Sequence, residues 1–242
     1  MKQKVFIIAL LVLASLTASA QEKKWKFNLN GGGIINTGNI SNIAISQGGG
    51  VDRNDSTLAF SAGYKYIYGE QEHVMNNREL SSSLQFDLWQ YSTISPFFAA
   101  TDLINRFKGY ENKLSLLLGA KWRIYSVPGV CDYSISAAYV SEFIDYYKDE
   151  SGLSPNVQRL SLRAKIRQKI GATTQIKHTT FYMPSFTDFM NDYIITSVTS
   201  IDNNIYKNVF LGLQFSLEYR NVVPTGKEYL DTRTEVTLRV NF

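Results

Sequence analysis

The chain is poor in the residues that build metal centres and covalent cross-links. Among 242 residues there is one cysteine, Cys131, and there are two histidines, His73 and His178. A lone cysteine excludes an internal disulfide, and so few imidazole and thiol groups leave a transition-metal site little to draw on. No cofactor is expected. Nowhere does the sequence supply the run of about 20 apolar residues that a spanning helix needs. The formal charge of +4 is too small a bias to argue for a nucleic-acid partner or an acidic substrate. A mean hydropathy of −0.15 would disqualify a helical bundle in lipid, yet it suits a barrel whose inward residues are polar.

What the chain does have is aromatic residues, 13% of the total with 15 Tyr and 14 Phe. In a soluble protein they would signal a large core, whereas in a membrane barrel they would form bands at the two interfaces. The N-terminus reads as a targeting segment. Lys2 and Lys4 form a charged start, Val5 to Ala14 an apolar stretch of signal-peptide length, and Ala18-Ser19-Ala20 a small-residue cleavage site before Gln21. Residues 1–20 are therefore expected to be a cleaved signal peptide, and 21–242 a single exported domain.

From Gln21 onward the polarity alternates with a period of two, the signature of strands with one apolar face. Leu114, Leu116, Leu118, Ala120, Trp122 and Ile124 alternate with Lys113, Ser115, Gly119, Lys121 and Arg123. Val209, Leu211, Leu213, Phe215, Leu217 and Tyr219 alternate with Gly212, Gln214, Ser216, Glu218 and Arg220. The last stretch does the same: Val236, Leu238, Val240 and Phe242 point one way, Thr237, Arg239 and Asn241 the other. About twelve such segments fit, an even number as single-chain bacterial barrels require. They include Ser95 to Phe107, Thr173 to Met183, Phe189 to Ile201 and Glu228 to Phe242. Tight turns are expected at Arg53-Asn54-Asp55, Ser92-Thr93-Ile94, Val127-Pro128-Gly129, Gly171-Ala172 and Asp202-Asn203-Asn204. Longer links are expected at Glu70 to Asn76, Lys108 to Tyr110, Tyr147 to Asn156, Pro184 to Asp188 and Val222 to Lys227. The fold expected is an all-β, antiparallel transmembrane barrel of about 12 strands, since lipid tolerates only helices or closed sheets. A soluble β-sandwich is the rival, and it would have to bury the outward Leu and Val faces.

An aromatic residue ending such a strand, as Phe242 does, resembles the closing strand of outer-membrane β-barrels. That likeness implies that Phe242, Val240, Leu238 and Val236 form the signal read by the barrel assembly machinery, and that the protein resides among the lipids of a Gram-negative outer membrane. Gly33-Ile34-Ile35-Asn36-Thr37-Gly38-Asn39, Ser95-Pro96-Phe97-Phe98 and Leu118-Gly119-Ala120-Lys121-Trp122-Arg123 resemble segments of the YdiY-like family of salt-induced outer-membrane proteins, a domain of unknown function. The resemblance implies an outer-membrane barrel without an assigned activity, and it carries over no catalytic residues.

Three groups of residues are candidates for chemistry. The first is a basic inward stripe: Arg159, Arg163, Lys165 and Arg167 on one strand, Lys113, Lys121 and Arg123 on another, Arg233 and Arg239 on the last. Such cations in a watery lumen would favour passage of small anions. In the alternative, Glu79, Asp87, Asp102, Glu218 and Glu235 pair with them and plug the lumen. The second is His178 with Thr180 and, past the next loop, Asn191, a set resembling the catalytic residues of outer-membrane phospholipases. The third comprises acidic loops, His73 with Glu70 and Glu72 as a weak cation site and Asp145 with Asp149 and Glu150. The expected function is a non-enzymatic barrel, structural or a small passive pore with a basic-lined lumen, with a lipid hydrolase using His178 as the alternative.

Overall fold

A computed structural model of the protein describes residues 25–71, 74–147 and 153–242. The expected leader, His73 and the Asp149 and Glu150 positions lie outside the described residues. Twelve antiparallel strands close into a single barrel: β1 (Trp25–Thr37), β2 (Asn42–Arg53), β3 (Leu58–Gln71), β4 (Val74–Leu88), β5 (Ile94–Asn105), β6 (Tyr110–Val127), β7 (Cys131–Tyr146), β8 (Asn156–Ile170), β9 (Thr174–Pro184), β10 (Tyr193–Tyr206), β11 (Val209–Arg220) and β12 (Leu230–Asn241). Each strand pairs with its sequence neighbours, and β1 closes the ring on β12 from Asn28 opposite Asn241 to Thr37 opposite Thr232. The first and last strands therefore meet: Phe242 N donates to Phe27 O at 2.8 Å, and Phe27 N to Phe242 O at 3.3 Å. Following paired residues once around the ring returns to β1 displaced by about 16 residues, a shear that gives twelve strands a tilt of roughly 43° and a backbone radius of roughly 12 Å.

Hydrophobicity is inverted relative to a soluble domain. Ile43 is 74% exposed, Ile45 67% and Leu118 66%, all pointing outward, while the buried apolar cluster found inside among the described residues is small, Ile34 with Ala44 and Ile67. So large an apolar exterior is stable only against hydrocarbon. Outward rings contact one another near both rims: Trp25, Phe60, Phe86 and Phe98 in succession at one end, and Tyr182, Tyr193 and Tyr219 at the other. Their amphipathic or flat rings suit the two interfaces of a bilayer.

The two ends differ. At the turn end, where the first and last strands begin and finish, the links are short, as at 128–130, 171–173 and 207–208. At the loop end they reach 185–192 and 221–229. Two expected links are corrected. The Glu70 to Asn76 stretch is largely strand, since β3 runs to Gln71 and β4 starts at Val74. Asp202-Asn203-Asn204 is not a turn: these residues read as turn formers, but β10 continues to Tyr206 and the turn is 207–208. The expected start of that strand at Phe189 likewise moves to Tyr193.

Candidate functional site in the barrel lumen

Toward the loop end the lumen is crossed by ion pairs. Arg233 on β12 reaches over to β4, donating to Glu79 from Nη1 at 3.1 Å and Nη2 at 3.0 Å, and Asn105 donates to the same carboxylate at 2.8 Å. Lys65 on β3 is bonded to Glu235 on β12, which also accepts from Ser46 at 2.7 Å. Lys113 Nζ at 2.6 Å and Arg159 Nε at 2.9 Å share Glu142, and Arg159 holds Asp192 in the β9–β10 link at 2.9 Å. A short 3-10 turn at Arg106–Lys108, capped by Asn105, swings Lys108 across to Glu218 at 3.5 Å and Asp231 at 3.4 Å. Arg220 pairs with Glu218 at 2.9 Å and bonds the Tyr110 hydroxyl. Six cations and six carboxylates thus neutralise one another while tying opposite walls together. Asn39 N extends the web to the β1–β2 turn by donating to Asp231 at 2.7 Å.

The turn-end half is different in charge. Lys121, Arg123, Arg163, Lys165, Arg167, Lys177 and Arg239 share it with three carboxylates among the described residues, Asp87, Asp132 and Asp202, while Lys26, Lys169 and Asp52 stand at the rim. Asp132 holds Arg123 at 3.2 Å and Arg167 at 3.8 Å. Asp202 holds Lys177 at 2.8 Å and Arg239 at 3.4 Å. Asp87 lies 3.7 Å from Lys121. Among the described residues, Arg163 and Lys165 have no carboxylate within ion-pair distance. A cavity of about 430 Å3 opens beside Lys165, lined also by Lys177, Asp202 and Arg239 and, at the border with the neutral half, by Lys65 and Glu235. A second, of about 250 Å3, lies toward the loop end around Glu79, Lys108 and Arg233. Val198 and Gln214 line both, so the two chambers are stacked along one axis.

The expected stripe is therefore divided. Arg159 stands in the neutral half, saturated by Glu142 and Asp192, whereas Arg163, Lys165, Arg167, Lys121, Arg123 and Arg239 stand in the cationic half. Asp102 does not join them. Asn105 and Phe97 face inward from β5, which turns Asp102 outward opposite Ser82 and Leu114. Alternation could not reveal this, because Phe97 and Phe98 are apolar on both faces. Lys65, Lys108, Lys177, Asp132, Asp192, Asp202 and Asp231 are further charges of the lumen that the expected stripe and its acidic partners do not include. Lys177 carried a signal, since it alternates with the outward His178.

His178 points away from the lumen, with Ile176 and Tyr182, next to the midpoint of β9. Its Nδ1 lies 2.9 Å from Thr199 Oγ1 and its Nε2 3.0 Å from Thr180 Oγ1. Asn191 is not part of this group; it donates to Asp188 in the β9–β10 link. Ester bonds of lipids lie at the headgroup boundary rather than at mid-depth, where water is also lacking, so the contacts satisfy a half-buried, lipid-facing imidazole and give no support to a hydrolase. Val236 and Leu238 face outward, 50% and 51% exposed, in phase with Val240, and Phe242 sits at the closing seam. No group of metal-ligating side chains occurs among the described residues.

Solved structures of similar fold are outer-membrane barrels. The NanC porin superposes with a TM-score of 0.60 over 88% of this chain and 98% of that one, at 9% identity. The translocator domain of the autotransporter NalP from Neisseria meningitidis gives 0.53 over 99% and 96%, at 12% identity, and a bacterial polysaccharide outer membrane secretin 0.53 over 90% and 98%, at 8% identity. At such identities the likeness establishes the fold. No curated protein matches the sequence. A family model does, across residues 29–242 and so from the first strand to the last residue, and by that match the chain belongs to the family described as "Protein of unknown function, DUF481".

Proposed function

We propose that the protein is a narrow, anion-preferring passive pore of the outer membrane, with its turn end toward the periplasm. The observation that carries this reading is the segregation of charge along the lumen: a balanced half at the loop end and a cationic half at the turn end. Cations that find no fixed partner inside a low-dielectric wall draw in mobile anions, and rings of Arg and Lys favour anion passage. The loop-end web narrows the path and sets a small conductance. In this reading the partners are outer-membrane lipid around the apolar belt, the barrel assembly machinery that engages the Val236–Phe242 strand, and small solutes. The leader at residues 1–20 provides export. The protein acts without a cofactor and is not an enzyme.

Planar-bilayer recording of the detergent-refolded protein tests this. Small discrete steps are expected, with a reversal potential in a salt gradient displaced toward chloride and moved toward zero in the Arg163→Ala/Arg167→Ala variant. A silent bilayer from folded protein would overturn the pore and leave a structural barrel.

A further inference from the structure

We infer that the inner wall built by β6, β7 and β8 is a binding site for a doubly charged tetrahedral oxyanion of the phosphate class. The inference rests on the anion-preferring reading above and assigns it one place and one chemistry. Register provides the frame. Lys121 lies opposite Ser136, which lies opposite Arg163, and Ser134 lies opposite Lys165 on one side and Arg123 on the other. Directly paired residues share a face, so the wall presents two adjacent rows, each reading cation, serine, cation. Strands two apart are separated by roughly 9.5 Å, and long basic side chains at that spacing converge over a short residue between them. Ser134 and Ser136 are buried, forming the floor of a saddle whose four corners are positive.

Charge fixes the valence of the ligand. Arg123 is committed to Asp132 and Lys121 has Asp87 nearby, whereas Arg163 and Lys165 lack a carboxylate among the described residues. Two unmatched charges require a dianion; a monoanion would neutralise half of them. Arg167 adds a buried Nε that has no hydrogen-bond partner. Geometry fixes the shape. The Arg163 guanidinium lies 5.5 Å from the Phe97 ring centroid and 5.9 Å from that of Phe181, so two rings hold it by cation–π attraction, which consumes none of its N–H donors and leaves them available for paired bonds to oxygen. With ammonium groups at other corners and hydroxyls on the floor, donors approach from several directions, as a tetrahedral group uses and a planar one does not. A phosphate monoester is mostly dianionic at neutral pH, and the ligand is either the free ion or such an ester. Entry is from the turn end, because the loop end is crossed by ion pairs.

Calorimetric titration of the refolded full-length barrel tests the site, with inorganic phosphate, sulfate, glycerol phosphate and nitrate as probes. Phosphate and sulfate are expected to bind at least about tenfold more tightly than nitrate, and Arg163→Gln/Lys165→Gln to weaken phosphate at least about tenfold, a loss that one charge-assisted pair accounts for. Ser134→Ala/Ser136→Ala is expected to weaken it less. Glycerol phosphate binding as well as phosphate identifies an ester as ligand, and its exclusion identifies the free ion; both keep the site. Heat-modifiable gel mobility confirms folding of each variant, with Lys165→Gln alone as the reserve should the double variant fail to fold. Folded protein that prefers chloride in the bilayer but binds no phosphate would overturn the site and spare the pore. Phosphate binding without any anion preference would overturn the pore and spare the site. Unchanged affinity in the folded double variant would overturn the assignment to this wall.

Discussion

At the scale of single residues, the barrel assigns neighbouring positions opposite solvents. Leu118, 66% exposed on the outside near the middle of β6, answers to hydrocarbon. Thr101 on β5 faces the lumen opposite Ser83 and Ser115. Leu118→Arg is expected to destabilise the protein by about 2–4 kcal/mol, the cost of a cation near the bilayer midplane, while Thr101→Arg changes stability little. Denaturant titration in lipid vesicles measures both, and equal effects would mean the faces are reversed. The residue scale is also where sequence reading stopped short. On β6 and β11 the alternation breaks only at Leu117 and Phe210 and the faces can be read directly, whereas on β5 apolar residues on both faces hide the phase and put Asp102 in the lumen it faces away from. Asp202 was hidden for another reason. Its Asp-Asn-Asn context favours a turn locally, but closure against β9 and β11 holds it in strand, where its carboxylate meets Lys177 and Arg239. The two unpartnered cations were visible as residues; that they lack partners depends on shear, which no local pattern encodes.

At the scale of elements, the Arg233–Glu79 pair joins β12 to β4 across the lumen. Glu79 is buried, so removing its partner strands a charge: Arg233→Met is expected to cost about 3–5 kcal/mol, and Arg233→Met/Glu79→Leu to recover most of it. Denaturation midpoints decide this, and a double variant no better than the single would mean that the pair acts through the wider web, in which Arg233 Nε also donates to Asn36 Oδ1 at 3.0 Å, rather than by itself. The closing strand carries a second prediction. Two backbone bonds join Phe242 to Phe27, and a side-chain change leaves them in place. Phe242→Ser should then refold in detergent as well as the unaltered chain while less of it reaches the outer membrane in cells. Equal losses in both assays would make Phe242 a structural residue and withdraw its role as an assembly signal. That twelve strands exist, and that the last is amphipathic, was legible from the period of two; which strands trade cations across the lumen was not, because those partners lie more than a hundred residues apart, as Glu79 and Arg233 do.

At the scale of the whole molecule, a cationic chamber in series with a neutral one makes the barrel electrically directional. In the cationic half current is carried mainly by anions; in the balanced half, by both ions. When anions are driven from the turn end toward the loop end, cations moving the opposite way meet the positive chamber and are held back, so both ions accumulate at the junction near Val198 and Gln214 and conductance rises. Reversing the field depletes the junction and lowers it. The asymmetry depends on fixed charge reaching across the lumen, and the Debye length is about 10 Å at 0.1 M salt but about 3 Å at 1 M, against a backbone radius of roughly 12 Å reduced further by side chains. Current–voltage curves of single barrels are therefore expected to rectify at 0.1 M salt and to become symmetric at 1 M. Arg163→Gln/Lys165→Gln should lower the rectification at 0.1 M, since it removes two of the excess positive charges, while Arg233→Met/Glu79→Leu, which leaves the balance of the neutral half unchanged, should preserve its sign. Curves that are symmetric at low salt in a conducting barrel would mean that the charge zones are screened by solute or water and do not control passage.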